Sequence, residues 1–145
     1  MPGEDVFRFV DALALNWLIG GADGHAKNFA LLHGAGRVRL APLYDVASIL
    51  PYGNMDIRRA KLAMRIGKEY DLDGIGPRQW RAFANKLALD ADAVTDRVRR
   101  LAVDLPDAAF DIVQRLAGDG LTHPIVVRLA QALADRARSC AMELA

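Results

Sequence analysis

Between Val6 and Ile19 the apolar residues Phe7, Val10, Ala14, Trp17 and Leu18 recur at helical spacing, and Gly20-Gly21 follows. Glycine tolerates left-handed backbone, so the pattern predicts one amphipathic helix that stops there. The next stretch, Gly20 to Asn28, is rich in glycine and polar side chains and reads as a loop. It opens onto Phe29-Ala30-Leu31-Leu32, an apolar run of strand length. Gly34-Ala35-Gly36 supplies a turn, and Arg37-Val38-Arg39-Leu40 then alternates polar and apolar with a period of two. Together these predict a hairpin, ended by Pro42.

Two prolines, two tyrosines and an acid occupy Pro42 to Asn54, an irregular but ordered loop in which Asp45-Val46-Ala47-Ser48 is expected to start a helical turn. Leu62 to Ile66 alternates again and reads as a short strand. The remainder is helical by pattern. Trp80, Phe83, Ala84 and Leu87 form a stripe after Pro77, and Val94, Val98, Leu101, Ala102 and Leu105 form the next. Phe110, Val113, Leu116 and Ala117 make a third stripe, ended by Gly118 and Gly120. Pro124 opens a last helix with Val126, Leu129, Ala130, Leu133 and Ala137 on one face. Stripes at this spacing are core rather than cofactor contacts. The expected architecture is mainly α, a single helical domain with a small β-hairpin near its N-terminal end, without repeats or interdomain linkers.

With 145 residues, 52% of them hydrophobic and 26% charged, the chain has the length and balance of one globular domain and not of a disordered or collagen-like chain. The net charge of +1 leaves no electrostatic footprint for nucleic acid, so direct nucleic-acid binding is not expected. Cys140 stands alone, which excludes an intrachain disulfide and points to a cytoplasmic compartment. The acidic start, Met1-Pro2-Gly3-Glu4-Asp5, is unlike a signal peptide. The most apolar segment, Ala12 to Ala22, is interrupted by Asn16 and two glycines, so no membrane span is expected.

Chemistry concentrates in Gly21-Ala22-Asp23-Gly24-His25-Ala26-Lys27-Asn28, which gathers an acid, an imidazole, an ammonium and an amide in one loop. Asp23 and Asn28 have the D-x-x-x-x-N spacing of a kinase catalytic loop, in which the acid orients the acceptor hydroxyl and the amide binds magnesium. On spacing alone the pair reads as turn formers that bond their own backbone. A predicted hairpin follows, however, and Asp45 comes just after it, where kinases place the acid that holds magnesium against the phosphates. Magnesium takes hard oxygen ligands, one or two of them from protein, and Asn28 and Asp45 would supply these. Asp23 would stay free to position the attacking hydroxyl, and Lys27 would neutralise charge on the phosphoryl group. His25 reads as a scaffold for the loop. Tyr44 is a candidate nucleotide contact or a core residue, Ser48 a turn cap, and His33 and His123 carry no chemistry.

Asn16 to Phe29 and Leu40 to Ser48 resemble the HipA family C-terminal domain, as do Lys61-Leu62-Ala63-Met64 and Gln79-Trp80, so the likeness covers nearly the whole chain. The resemblance implies the helical C-terminal lobe of a protein-kinase-like fold and ATP-dependent phosphorylation of serine or threonine on protein targets. Translation factors such as an aminoacyl-tRNA synthetase are among the family's targets. It further implies a catalytic acid at Asp23, His25 and Lys27 in the catalytic loop, magnesium on Asn28 and Asp45, and a DNA-binding antitoxin, HipB-like, as partner in a type II toxin-antitoxin system.

One departure stands beside the match. Kinases grip ATP with a phosphate-covering loop and a lysine that precede the catalytic loop, whereas the 22 residues before Asp23 read as helix and contain no lysine. The nucleotide-binding N-terminal lobe is therefore expected outside residues 1–145, and the chain alone is expected to turn over weakly or not at all. Two readings from other classes remain open. One is a non-catalytic module that binds an antitoxin or a complementary lobe. The other is a divalent-metal hydrolase using Asp23, His25, Asn28, His33 and Asp45.

Overall fold

A computed structural model describes residues 2–34 and 36–145, so Met1, and Ala35 of the expected hairpin turn, lie outside the described residues. The first helix, α1, spans Pro2–Ile19. It ends as its glycines predict. Gly20 has φ +64°, its N–H donates to Trp17 O (3.4 Å), and the Gly21 N–H reaches back to Asn16 O (2.7 Å). That pair of bonds is a Schellman stop, which satisfies two carbonyls the helix cannot.

Strands β1 (Leu31–Gly34) and β2 (Arg37–Leu40) form the first antiparallel hairpin, with Leu31 opposite Leu40 and Gly34 opposite Arg37. β1 starts two residues later than the apolar run suggests, because Phe29 turns inward and stacks edge-on against Phe9 of α1 at 5.0 Å. Charge ties the hairpin to α1 as well: Arg39 pairs with Glu4 (3.0 Å) and Asp5 (3.2 Å), and Arg8 donates to Leu40 O (3.1 Å).

The expected helical turn at Asp45–Ser48 does not form. Asp45 adopts φ +55°, left-handed backbone that cannot continue a right-handed helix, and the Ser48 hydroxyl is engaged elsewhere. β3 (Lys61–Ile66) matches the second alternating segment and pairs with β4 (Glu69–Asp71), making a second hairpin across Gly67 at φ +65°. β4 escapes the sequence because three residues, Glu-Tyr-Asp, are too few to show a period.

Helix α2 spans Pro77–Lys86, its start closed by Gln79 Oε1 accepting the Gly76 N–H (3.1 Å). α3 runs unbroken over Ala91–Gly118, where two stripes predict two helices. Pro106 lies inside it and removes one backbone bond, a loss that ordinarily breaks an isolated helix. Here Pro106 is buried and the two stripes continue one another along α4 (Pro124–Glu143), so packing outweighs the local cost. Asp90 caps α3 through Ala93 N (2.8 Å), and His123 caps α4 through Ile125 N (3.2 Å).

The core gathers Trp17 and Trp80, both fully buried and edge-to-face at 5.8 Å, with Phe83 packed on Trp80 at 5.9 Å. Trp17 Nε1 donates to Leu72 O (3.0 Å), so the buried indole keeps a partner. Arg97 of α3 clamps Asp11 of α1 with two bonds and lies 5.3 Å over the Phe7 ring. Packed from α1, α3 and α4, this frame holds rigid the end of α1, from which the polar loop departs. Among the described residues no helix is long and apolar enough to cross a membrane.

Candidate functional site

The loop after α1 is shaped by its own backbone bonds. Ala22 N donates to Gly20 O (3.0 Å), Gly24 N to Gly21 O (3.3 Å) and His25 N to Asp23 O (2.9 Å). A single 3-10 turn, Ala26–Asn28, closes it. Asn28 is buried and bonds the loop twice, its N–H to His25 O (2.9 Å) and its Nδ2 to Asp23 O (3.2 Å). The second bond fixes which end of the amide is which. With Nδ2 spent on a carbonyl, Oδ1 is left as an acceptor able to meet a cation.

Asp23 presents its carboxylate outward, with 83% of the side chain exposed. His25 Nε2 lies 3.6 Å from Asp23 Oδ1, while His25 Nδ1 is buried and has no hydrogen-bond partner among the described residues. Lys27 is exposed, and its carbonyl accepts the Tyr44 hydroxyl at 2.9 Å. Tyr44 is thus no core residue: it is 47% exposed and its hydroxyl ties the segment before Asp45 to the loop.

Asp45 is exposed and left-handed, a conformation that aspartate tolerates better than most residues and that recurs at functional sites. Asp45, Asn28, Asn16, Gly24 and Tyr44 line one crevice of about 10 Å³, the room of about one water. Of the residues expected together from sequence, Asn28 and Asp45 share this crevice, while Asp23, His25 and Lys27 lie on the same loop outside its lining, Asp23 joined to Asn28 through its carbonyl oxygen. His33 is exposed on β1, and His123 is spent as a helix cap. Among the described residues no three His, Cys, Asp or Glu side chains converge.

Two residues matter more than the sequence reading allowed. Asn16, buried in α1, lies against bare loop backbone: a Cβ on Gly21 would stand 2.5 Å from Asn16 Oδ1, and one on Gly24 2.6 Å from Asn16 Nδ2. The glycines are needed for this close approach, and the signal was an amide set in the apolar face of α1 next to Gly-Gly. Ser48, read as a turn cap, does accept the Leu50 N–H (3.1 Å), but its hydroxyl also donates to Ile19 O (2.5 Å).

Known proteins resemble this chain in sequence and in fold. Putative kinase Y4mE of Sinorhizobium fredii is 29% identical over 137 residues, 94% of this chain and 32% of its own length. The serine/threonine-protein kinase toxin HipA of Shewanella oneidensis is 30% identical over 101 residues, 70% of this chain and 23% of its own. The chain thus spans a third or less of these relatives. The fold is that of HipA in the solved Shewanella oneidensis complex of HipA, HipB and operator DNA, with a TM-score of 0.77 and 23% identity over 93% of this chain and 31% of that one. Residues 1–109 match the profile of the HipA-like C-terminal domain, and the chain belongs to that family.

Proposed function

We propose that this domain is the metal-binding and acceptor-binding half of an ATP-dependent protein serine/threonine kinase. The observation that carries the reading is the division of labour in the loop. Asn28 is oriented by its bond to Asp23 O and lines a crevice with Asp45, while the Asp23 carboxylate stands outside it. One amide oxygen and one carboxylate are a hard donor set that suits magnesium, which leaves its other positions to phosphates and water.

Held by Asn28 and Asp45, a magnesium ion would supply positive charge against the phosphates of ATP. Asp23 orients the serine or threonine hydroxyl and accepts its proton as the oxygen attacks the γ-phosphorus and the bond to the bridging oxygen of ADP breaks. Lys27 adds positive charge beside the transferring group. His25 holds Asp23 in place, and the exposed ring of Tyr44 offers a face to the nucleotide. The grip on the ATP phosphates belongs to a lobe outside residues 1–145, as the relatives' greater length suggests.

A second reading draws on the first hairpin, where Leu31 and Val38 share one face and are each more than half exposed. Such an apolar strip suits cover by another protein surface, whether the complementary lobe or a HipB-like antitoxin. The relative solved with HipB and operator DNA supports an antitoxin as partner.

The site reading is tested with Mn²⁺ as a paramagnetic stand-in for magnesium in amide NMR spectra of the chain. Broadening centred on Asn28 and Asp45, and lost in Asp45→Ala, is expected. Broadening centred elsewhere, or surviving that substitution, contradicts the assignment.

A further inference from the structure

We propose that Ser48 is a positioning residue that locks the segment carrying Asp45 to the root of the loop carrying Asp23, and so sets the two acids relative to one another. The inference rests on the kinase reading above and adds a residue to it. The last carbonyls of a helix have no partner within the helix. In α1, those of Asn16 and Trp17 are taken by Gly21 and Gly20, but that of Ile19 is taken by the Ser48 hydroxyl, 29 residues downstream.

The neighbours of Ser48 continue the seam. Ile49 N donates to Gly20 O (3.2 Å), and Leu50 N donates to Ser48 Oγ (3.1 Å), which keeps the hydroxyl aimed at Ile19. Gly20 lets this segment close in: a Cβ there would stand 3.3 Å from Leu50 Cδ2 and 3.2 Å from Ile57 Cδ1.

At its other end the segment is held by Tyr44, whose hydroxyl donates to Lys27 O (2.9 Å). Asp45 thus sits between two side-chain ties to the same loop, one residue after the first and three before the second. A left-handed aspartate persists only where its surroundings over-determine the backbone, and these two ties do so. Without the Ser48 hydroxyl, Ile19 O loses its partner and this end of the segment is left with the single backbone bond from Ile49 N to Gly20 O.

The test compares wild type, Ser48→Ala and Ser48→Thr by amide hydrogen exchange and by Mn²⁺ titration of the chain. Ser48→Ala is expected to speed exchange at residues 20–28 and 45–50 while α3 and α4 keep their protection, and to weaken Mn²⁺ binding about tenfold. Ser48→Thr, which keeps the hydroxyl, is expected to restore both. Wild-type exchange and affinity in Ser48→Ala would overturn the proposal, and so would exchange that rises uniformly through α3 and α4. A wild-type chain that binds no Mn²⁺ sinks the kinase-site reading instead, and the exchange pattern then decides alone whether Ser48 is the lock.

Discussion

Replacing Gly24 by alanine puts one methyl group into the tightest contact of the loop. The new Cβ would stand 2.6 Å from Asn16 Nδ2 and 2.8 Å from Asn16 Cγ, so the amide must retreat about 0.8 Å before ordinary contact at 3.4 Å is reached. It has nowhere to go. Asn16 is 9% exposed, and its Oδ1 already lies where a Gly21 Cβ would be only 2.5 Å away. Overpacking of this kind costs about 1–3 kcal/mol, roughly 3–10 °C in melting temperature for a chain of this size. Asn16→Ala removes the group that is struck, so Gly24→Ala made in that background is expected to cost little. Urea unfolding is the assay, followed by the fluorescence of Trp17 and Trp80, both fully buried, and by far-UV circular dichroism. A double-mutant cycle is expected to show a coupling of at least about 1 kcal/mol. Additivity within about 0.5 kcal/mol would refute the packing argument, since it would mean that Gly24 and Asn16 do not share space.

Other outcomes follow from single contacts. Trp17→Phe keeps most of the buried ring but leaves Leu72 O without its donor, at an expected cost of about 1–3 kcal/mol in thermal or urea unfolding; a change within error would show that the bond is dispensable. Burial pushes the Asp5 carboxyl up, but hydrogen bonds from Arg39 and the Leu40 backbone, with the charges of Arg39 and Arg8, outweigh it and hold the pKa below 3.8. That stability is fully present above the unfolded value and is lost as pH falls through the depressed folded value. Asp5→Asn should therefore be less stable than wild type at pH 7 and match it near pH 2, and an equal gap at both would contradict the linkage. Burial pushes the Cys140 thiol up to about 11, so iodoacetamide at pH 8 should label it only after unfolding, whereas rapid labelling of the native chain would place it at the surface.

What the sequence made legible is what short-range rules decide. The end of α1 follows from Gly20-Gly21, and the loop follows from the bonds that Asp23, His25 and Asn28 make among themselves within five positions. Long-range contacts hid the rest. The stripe from Val94 to Leu105 and the stripe from Phe110 to Ala117 read as two helices, and only the packing of α3 on α4 shows why one helix runs through Pro106. Asp45 looked like the start of a helical turn, yet its left-handed backbone is imposed by ties from Tyr44 to Lys27 and from Ser48 to Ile19, 17 and 29 residues away. Asn16 was visible as a polar interruption in an apolar face, but its role emerges only when Gly21 and Gly24 fold back onto it.

The central claim is that Asn28 and Asp45 form a metal-binding corner. Calorimetric titration of the chain with Mn²⁺ as a stand-in for magnesium, with Asp45→Ala as the control, tests it most directly. Binding that the substitution abolishes is the predicted result, whereas no binding, or binding indifferent to Asp45, would contradict it.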